Sequence, residues 1–280
     1  MKNILLPTDF SENAFNAIQY AIQIFKDEKC TFHLLNTFTP IPYNLTTFAD
    51  GHSTLLIEEI NRENSIKGLK EIEEKIKSEY NNSKHTFKRI SAFNLLVDEI
   101  IDVVEEHNVD LIVMGTKGAT GAKEVFLGTN TMFTIRKVNC PVIAVPNDFE
   151  YTQPKEVLFP TDFKFSVKNN SLKLLKSICE SHNAKLNILN VYFGAALNES
   201  QVEVKNQLEI FLKDNNHIFL TTEYVDLVEA VEQFQIKHKV NFLVMIQNKH
   251  SFFENLMFKP VIKQLVYHTN VPFMVIPPVE

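Results

Sequence analysis

"NILLPTDF", Asn3 to Phe10, returns 153 residues later as "EVLFPTDF", Glu156 to Phe163. Each copy is a short apolar run ended by proline and followed by Thr-Asp-Phe, the pattern of a buried strand running into a turn. The correspondence extends outward. "FHLLNTF" (Phe32–Phe38) answers to "LNILNVY" (Leu186–Tyr192), "VDLIVMG" (Val109–Gly115) to "VNFLVMI" (Val240–Ile246), and "NCPVIAVP" (Asn139–Pro146) to "NVPFMVIP" (Asn270–Pro277). The last two pairs lie 131 residues apart, so the second copy is about 23 residues shorter in its middle. One unit used twice predicts two tandem domains. We set them at 1–147 and 155–280, separated within the polar stretch "NDFEYTQPK".

Within the first copy, strand and helix patterns alternate. Short apolar runs at Asn3–Leu6, Thr31–Thr37, Asp110–Met114 and Pro141–Val145 predict strands, with a weaker one at Thr86–Ser91. Apolar residues at helical spacing predict helices over Ser11–Phe25, Leu56–Tyr80, Leu95–His107 and Thr129–Val138, the first capped by Ser11. Alternation of this kind predicts an α/β fold: two Rossmann-like domains, each a five-stranded parallel sheet with helices on both faces. The expected strand order is 3-2-1-4-5, which reverses between strands 1 and 4.

Composition narrows the function. Hydrophobic residues make up 45% and charged residues 22% of the 280, enough for a packed core. No apolar run reaches the length of a membrane helix, and the amino terminus has no signal-peptide core, so a cytoplasmic location is expected. A net charge of −6 without a basic run argues against nucleic acid as a partner. Cys30, Cys140 and Cys179 are scattered, have no metal-ligand spacing, and read as small buried hydrophobes.

Four of the seven glycines fall in "GTKGATGAKEVFLGTN", Gly115 to Asn130, directly after the fourth strand. Open parallel sheets take ligands at the strand carboxyl ends where the order reverses. In the assumed order, this loop and Pro7–Phe10 flank that crevice. Gly115 and Gly118 give backbone without Cβ, which approaches an anion closely. Gly128-Thr129 then opens a helix whose free amides suit phosphate. The intervening Ala119–Leu127 is expected to fold over the site. At Asp9 the residues alone leave two readings open, ligand contact or helix capping, because "PTDF" persists in the second copy.

The pattern G-x2-G-x9-G-[ST], met by Gly115, Gly118, Gly128 and Thr129, resembles the nucleotide loop of the universal stress protein family. "NILLPTDFSENAFNAIQYA" is similar to that family's first strand and helix, and "NCPVIAVP" to its last strand. The resemblance covers both halves and implies a tandem two-domain member. It implies ATP, or ADP or AMP, as ligand, with magnesium admissible beside ATP and no other metal site. It places Thr8 and Asp9 at the adenine and ribose, and Thr37 in the base pocket where the family often has valine. Met114, Gly115, Lys117 and Gly118 would meet ribose and α-phosphate. Gly128, Thr129, Asn130 and Thr131 would hold the phosphates.

The second copy has "MIQNKHSFFENLMFKPVIKQL" after the equivalent strand, without glycine, so one competent site is expected, in the first half. The first-half loop lacks the spacing of a P-loop, no G-x-G-x-x-G follows strand 1, and no catalytic constellation stands out. A stress-response regulatory protein that binds ATP, with slow hydrolysis at most, is the leading expectation; a ligand-free interaction protein of the same fold is the alternative. The last strands, Val142–Val145 and Phe273–Ile276, present apolar edges. They are expected to pair antiparallel within the chain as a pseudo-dimer, and a homodimer is compatible with this. The aromatic, proline-punctuated segment Phe38–Leu55 is a candidate pocket cover or contact surface.

Overall fold

A computed structural model describes residues 1–39, 51–116, 127–147, 149–192, 196–223, 227–247 and 271–278. The described residues up to Val138 form one compact unit, and those from Asn139 onward form another.

In the first unit, strand β1 (Lys2–Pro7) lies between β2 (Cys30–Phe38) and β4 (Leu111–Gly115), parallel to both. β3 (His85–Phe93) pairs in parallel with the far side of β2. The chain therefore steps outward from β1 to β3 and then crosses back to β4, which places the reversal between β1 and β4 as expected. The central strands β1, β2 and β4 are buried almost throughout, whereas β3 has only half-buried and exposed residues. An edge strand facing water on one side carries less apolar signal, which is why its sequence pattern is the weakest of the set.

The helices follow their caps and apolar faces. Helix α1 (Glu12–Ile24) starts where the Ser11 hydroxyl accepts a hydrogen bond from the Ala14 amide at 3.2 Å, and it packs against β4. Helix α2 (Gly51–Tyr80) packs on β2 and β3, and α3 (Leu96–Glu106) on β2 and on α4 (Thr129–Lys137). The expected single apolar face of α2 holds only in part. Ser65, Leu69, Ile72 and Ile76 are buried, but Leu56 and Ile60 are 61% and 54% exposed. At 30 residues and 1.5 Å per residue, the helix outruns the strands beneath it, so its first turns project past the core.

The second unit repeats the plan with β6 (Glu156–Pro160), α5 (Ser171–His182), β7 (Lys185–Tyr192), α6 (Glu199–Leu212), β8 (His217–Glu223), α7 (Leu227–His238), β9 (Phe242–Ile246) and β10 (Phe273–Ile276). β6 pairs in parallel with β7 and β9, β7 with β8, and β9 with β10. Strand β5 (Val142–Val145) lies antiparallel to β10, with Ile143 opposite Met274.

Two differences separate the copies. Helix α6 has 14 residues against the 30 of α2, which holds much of the length difference in the repeats. Helix α5 begins eight residues after Phe163, whereas α1 begins two after Phe10. Lys164 stands where Ser11 caps α1, and no side chain caps α5. Asn169 organises the stretch instead, donating to the Pro277 carbonyl at 2.8 Å and accepting from the Ser171 amide at 2.9 Å.

Candidate functional site

A cleft of about 420 Å³ opens at the carboxyl ends of β1 and β4 in the first unit. That is the size of a small-molecule site. Thr8, Asp9, Thr37, Met114, Gly115, Gly128, Thr129, Asn130 and Thr131 all line it. Lys117 and Gly118 lie outside the described residues, as do most of Ala119–Leu127 and much of Phe38–Leu55.

The turn leaving β1 is built by its own side chains. The Thr8 hydroxyl accepts from the Phe10 amide at 3.1 Å, and the Thr8 carbonyl accepts from Asn36 Nδ2 at 2.7 Å. Asp9 Oδ1 accepts from the Ser11 amide at 3.1 Å and from the Ser11 hydroxyl at 2.5 Å. The second unit has the same turn. Thr161 accepts from the Phe163 amide at 2.9 Å, the Thr161 carbonyl accepts from Asn190 Nδ2 at 2.9 Å, and Asp162 Oδ1 accepts from the Lys164 amide at 3.1 Å. Phe10 and Phe163 are both left-handed, with φ of 65° and 56°. "PTDF" is therefore a structural turn in both copies, which explains its survival where the glycine loop is gone. In the first copy, the exposed Asp9 carboxylate also stands on the cleft.

Gly115 has a packing reason as well as an expected ligand reason. A Cβ built there would stand 2.7 Å from Asn13 Nδ2 and 2.9 Å from Asn13 Cγ. Asn13 belongs to α1 and is 8% exposed, so it has little room to move. Close approach, not a left-handed backbone, requires glycine here. Gly115→Val is expected to destabilise the first unit by about 1–3 kcal/mol through overpacking. A lower denaturant midpoint would show it; a wild-type midpoint would mean that α1 yields freely.

Across the cleft, the Gly128 amide donates to the Thr116 carbonyl at 2.5 Å, which ties the start of α4 to the end of β4. Thr131, 2% exposed, donates its hydroxyl to the Gly115 carbonyl at 2.8 Å. That hydroxyl is engaged in holding the two walls together, while Thr129 and Asn130 are exposed. Gly128 occupies the N-cap of α4, and no side chain caps the helix. The first amides of a helix have no partner within it, and its dipole favours negative charge there. Asp9 is the sole titratable side chain among the described lining residues.

Pro7 and Thr39, from the two segments expected near the crevice, also line it, and the cleft contains residues that the motif reading left out: Ala14, Asn36, Leu95 and Leu96. Asn36 had a signal in the repeat, since Asn190 holds the equivalent place and makes the equivalent bond. Leu95 and Leu96 enter only because β3 ends beside β2, a neighbourhood no local pattern carries.

The universal stress protein family profile matches residues 1–146. The chain belongs to the universal stress protein family. It is 32% identical over 153 residues to universal stress protein MJ0577 of Methanocaldococcus jannaschii, covering 51% of this chain and 94% of that one. It is also 32% identical over 146 residues to universal stress protein MJ0531 of the same organism, covering 51% and 81%. A universal stress protein structure from Archaeoglobus fulgidus aligns over 98% of both chains with a TM-score of 0.68 at 18% identity, a likeness of fold. No helix among the described residues is long and apolar enough to cross a membrane. No group of three or more metal-ligating side chains occurs among them either.

Proposed function

We propose that the first unit, as a universal stress protein domain, binds one adenine nucleotide, ATP foremost, in the cleft between β1 and β4. The observation that carries this reading is the convergence of Thr8, Asp9, Gly115 and Gly128–Thr131 on one cleft whose helix α4 starts without a side-chain cap. Amides at such a helix start suit a phosphate. Thr37, Thr39, Leu95 and Leu96 offer the mixed polar and apolar wall that a base and ribose need.

We read the site as one for binding, with slow ATP hydrolysis at most. The single carboxylate on its described wall, Asp9, is already bonded to Ser11. Magnesium would arrive with the phosphates, since it keeps much of its water and needs few protein ligands. The second unit, without glycine in the equivalent loop, is read as a partner domain without this site. We read the protein as acting in the cytoplasm in a stress response.

Titration calorimetry with ATP and magnesium tests the reading: one ATP per full-length chain is expected. Absence of heat, together with no thermal shift and no nucleotide in the purified protein, would leave the ligand-free interaction protein as the better account.

A further inference from the structure

Neighbouring residues of one turn line two separate cavities in the first unit. Thr8 and Asp9 face the nucleotide cleft, while Phe10 and Ser11 line a groove of about 470 Å³ between α1 and α2. Phe10 is the hinge of this arrangement. Its φ of 65° is unusual for a bulky residue and must be held by its surroundings.

The turn's own hydrogen bonds, shared by the second unit, hold the backbone, and in the first unit the ring in addition meets a glycine. A Cβ built on Gly68 would stand 2.6–2.9 Å from three atoms of the Phe10 ring, so the ring lies flush against the α2 backbone. The ring is not fixed by burial, since Phe10 is 41% exposed. Its counterpart Phe163 is 2% exposed and lies 6.2 Å from Phe219, ring centre to ring centre. Gly68 also sits inside a 30-residue helix, where glycine is the least favourable residue after proline. A glycine that weakens its own helix and accommodates one ring owes its place to that ring.

We propose that Gly68 is a positioning residue for the nucleotide site: by seating the Phe10 ring on α2, it holds the turn that presents Thr8 and Asp9 to the cleft. The proposal rests on the nucleotide reading above. It makes the α1–α2 groove energetically coupled to the cleft, so a change at α2 alters affinity for nucleotide and the reverse.

Gly68→Ala separates this from a merely structural role. The new methyl pushes aside a half-exposed ring and leaves the core alone, while alanine improves the helix, so the melting temperature should hold or rise. ATP affinity should fall roughly fivefold or more, the lower range of coupling between sites. In a Phe10→Ala background, Gly68→Ala should change affinity no further, since the ring it acts through is absent. In nucleotide-free protein, the amide resonances of Thr8–Ser11 should move in Gly68→Ala. Wild-type affinity in Gly68→Ala, additive losses in the double variant, or unmoved amides would each overturn the proposal. If the unsubstituted protein binds no ATP, the nucleotide reading falls, and this proposal falls with it as a statement about nucleotide. Moved amides would then still support the link between Gly68 and the turn.

Discussion

Gly128→Asp is expected to lower ATP affinity by about a hundredfold or more while leaving the protein as stable as before, or slightly more stable. The two effects have one cause. Gly128 is the N-cap of α4, with φ of −56° and ψ of 147°, a backbone conformation that aspartate adopts without strain. Aspartate at an N-cap accepts from the amides of the second or third helical residue, here Asn130 or Thr131, a change worth a few tenths of a kcal/mol over glycine. Those are the amides assigned to the phosphate. The new carboxylate would occupy the donors and bring a negative charge to the place proposed for the phosphates. Loss of two charge-assisted hydrogen bonds at about 1.5–3 kcal/mol each already exceeds the ~2.7 kcal/mol of a hundredfold change. Calorimetry and thermal melting on the same preparation check both halves. Undiminished ATP binding in this variant would remove the phosphate site from α4, and a large fall in melting temperature would make the binding result uninformative about phosphate. Gly128→Ala, which adds bulk without charge or an acceptor, should fall between the variant and the unsubstituted protein.

Among the described residues, the largest pH effect on stability in the acid range is expected from His33, inside the repeated stretch "FHLLNTF". It is 1% exposed on β2, and its ring stacks on that of His107 at 4.8 Å between centroids. Burial first, then His107 from the end of α3, then Lys88 on β3, hold its pKa down at about 4. Among the described residues, its Nδ1 finds no hydrogen-bond partner, and Nε2 lies 3.4 Å from Asn3 Oδ1. The folded protein therefore keeps this imidazole neutral. In the unfolded chain its pKa returns to the ordinary 6.5. Above pH 6.5 neither state is protonated and the contribution is complete. As pH falls from 6.5 toward 4, the unfolded chain takes a proton that the folded chain refuses, and stability is lost. At 1.36 kcal/mol per unit, the loss approaches about 3 kcal/mol. His33→Phe, similar in shape and without a proton to take, should flatten the stability profile over this window relative to the unsubstituted protein. Parallel profiles for the two proteins between pH 6.5 and 4 would refute the assignment. His85, also lowered by burial, adds a smaller slope that both proteins share.

The cysteines behave as their scatter implied. Cys30, Cys140 and Cys179 are free and buried, and burial pushes the Cys30 and Cys179 thiols up to about 12. Cys30 and Cys179 are packing residues without thiolate character at neutral pH.

Much of the protein was legible in one dimension because it depends on one-dimensional order. Central parallel strands such as "NILLP" and "LIVMG" are buried on both faces and so read as unbroken apolar runs. Helix α1 begins where a serine cap can be read. The repeat needed only comparison of the chain with itself. The cleft positions followed because a parallel sheet that reverses its order must bring the ends of β1 and β4 together. Tertiary packing decided the rest. No local pattern says that Leu56 and Ile60 overhang the core, since they keep the helical spacing of the buried Leu69 and Ile76. Nor does any pattern show that Gly115 meets Asn13, that Gly68 meets Phe10, or that His33 lies on His107. Those contacts join residues tens of positions apart, and whether a glycine there is a turn, a seat or a spacer depends on which side chain arrives opposite it.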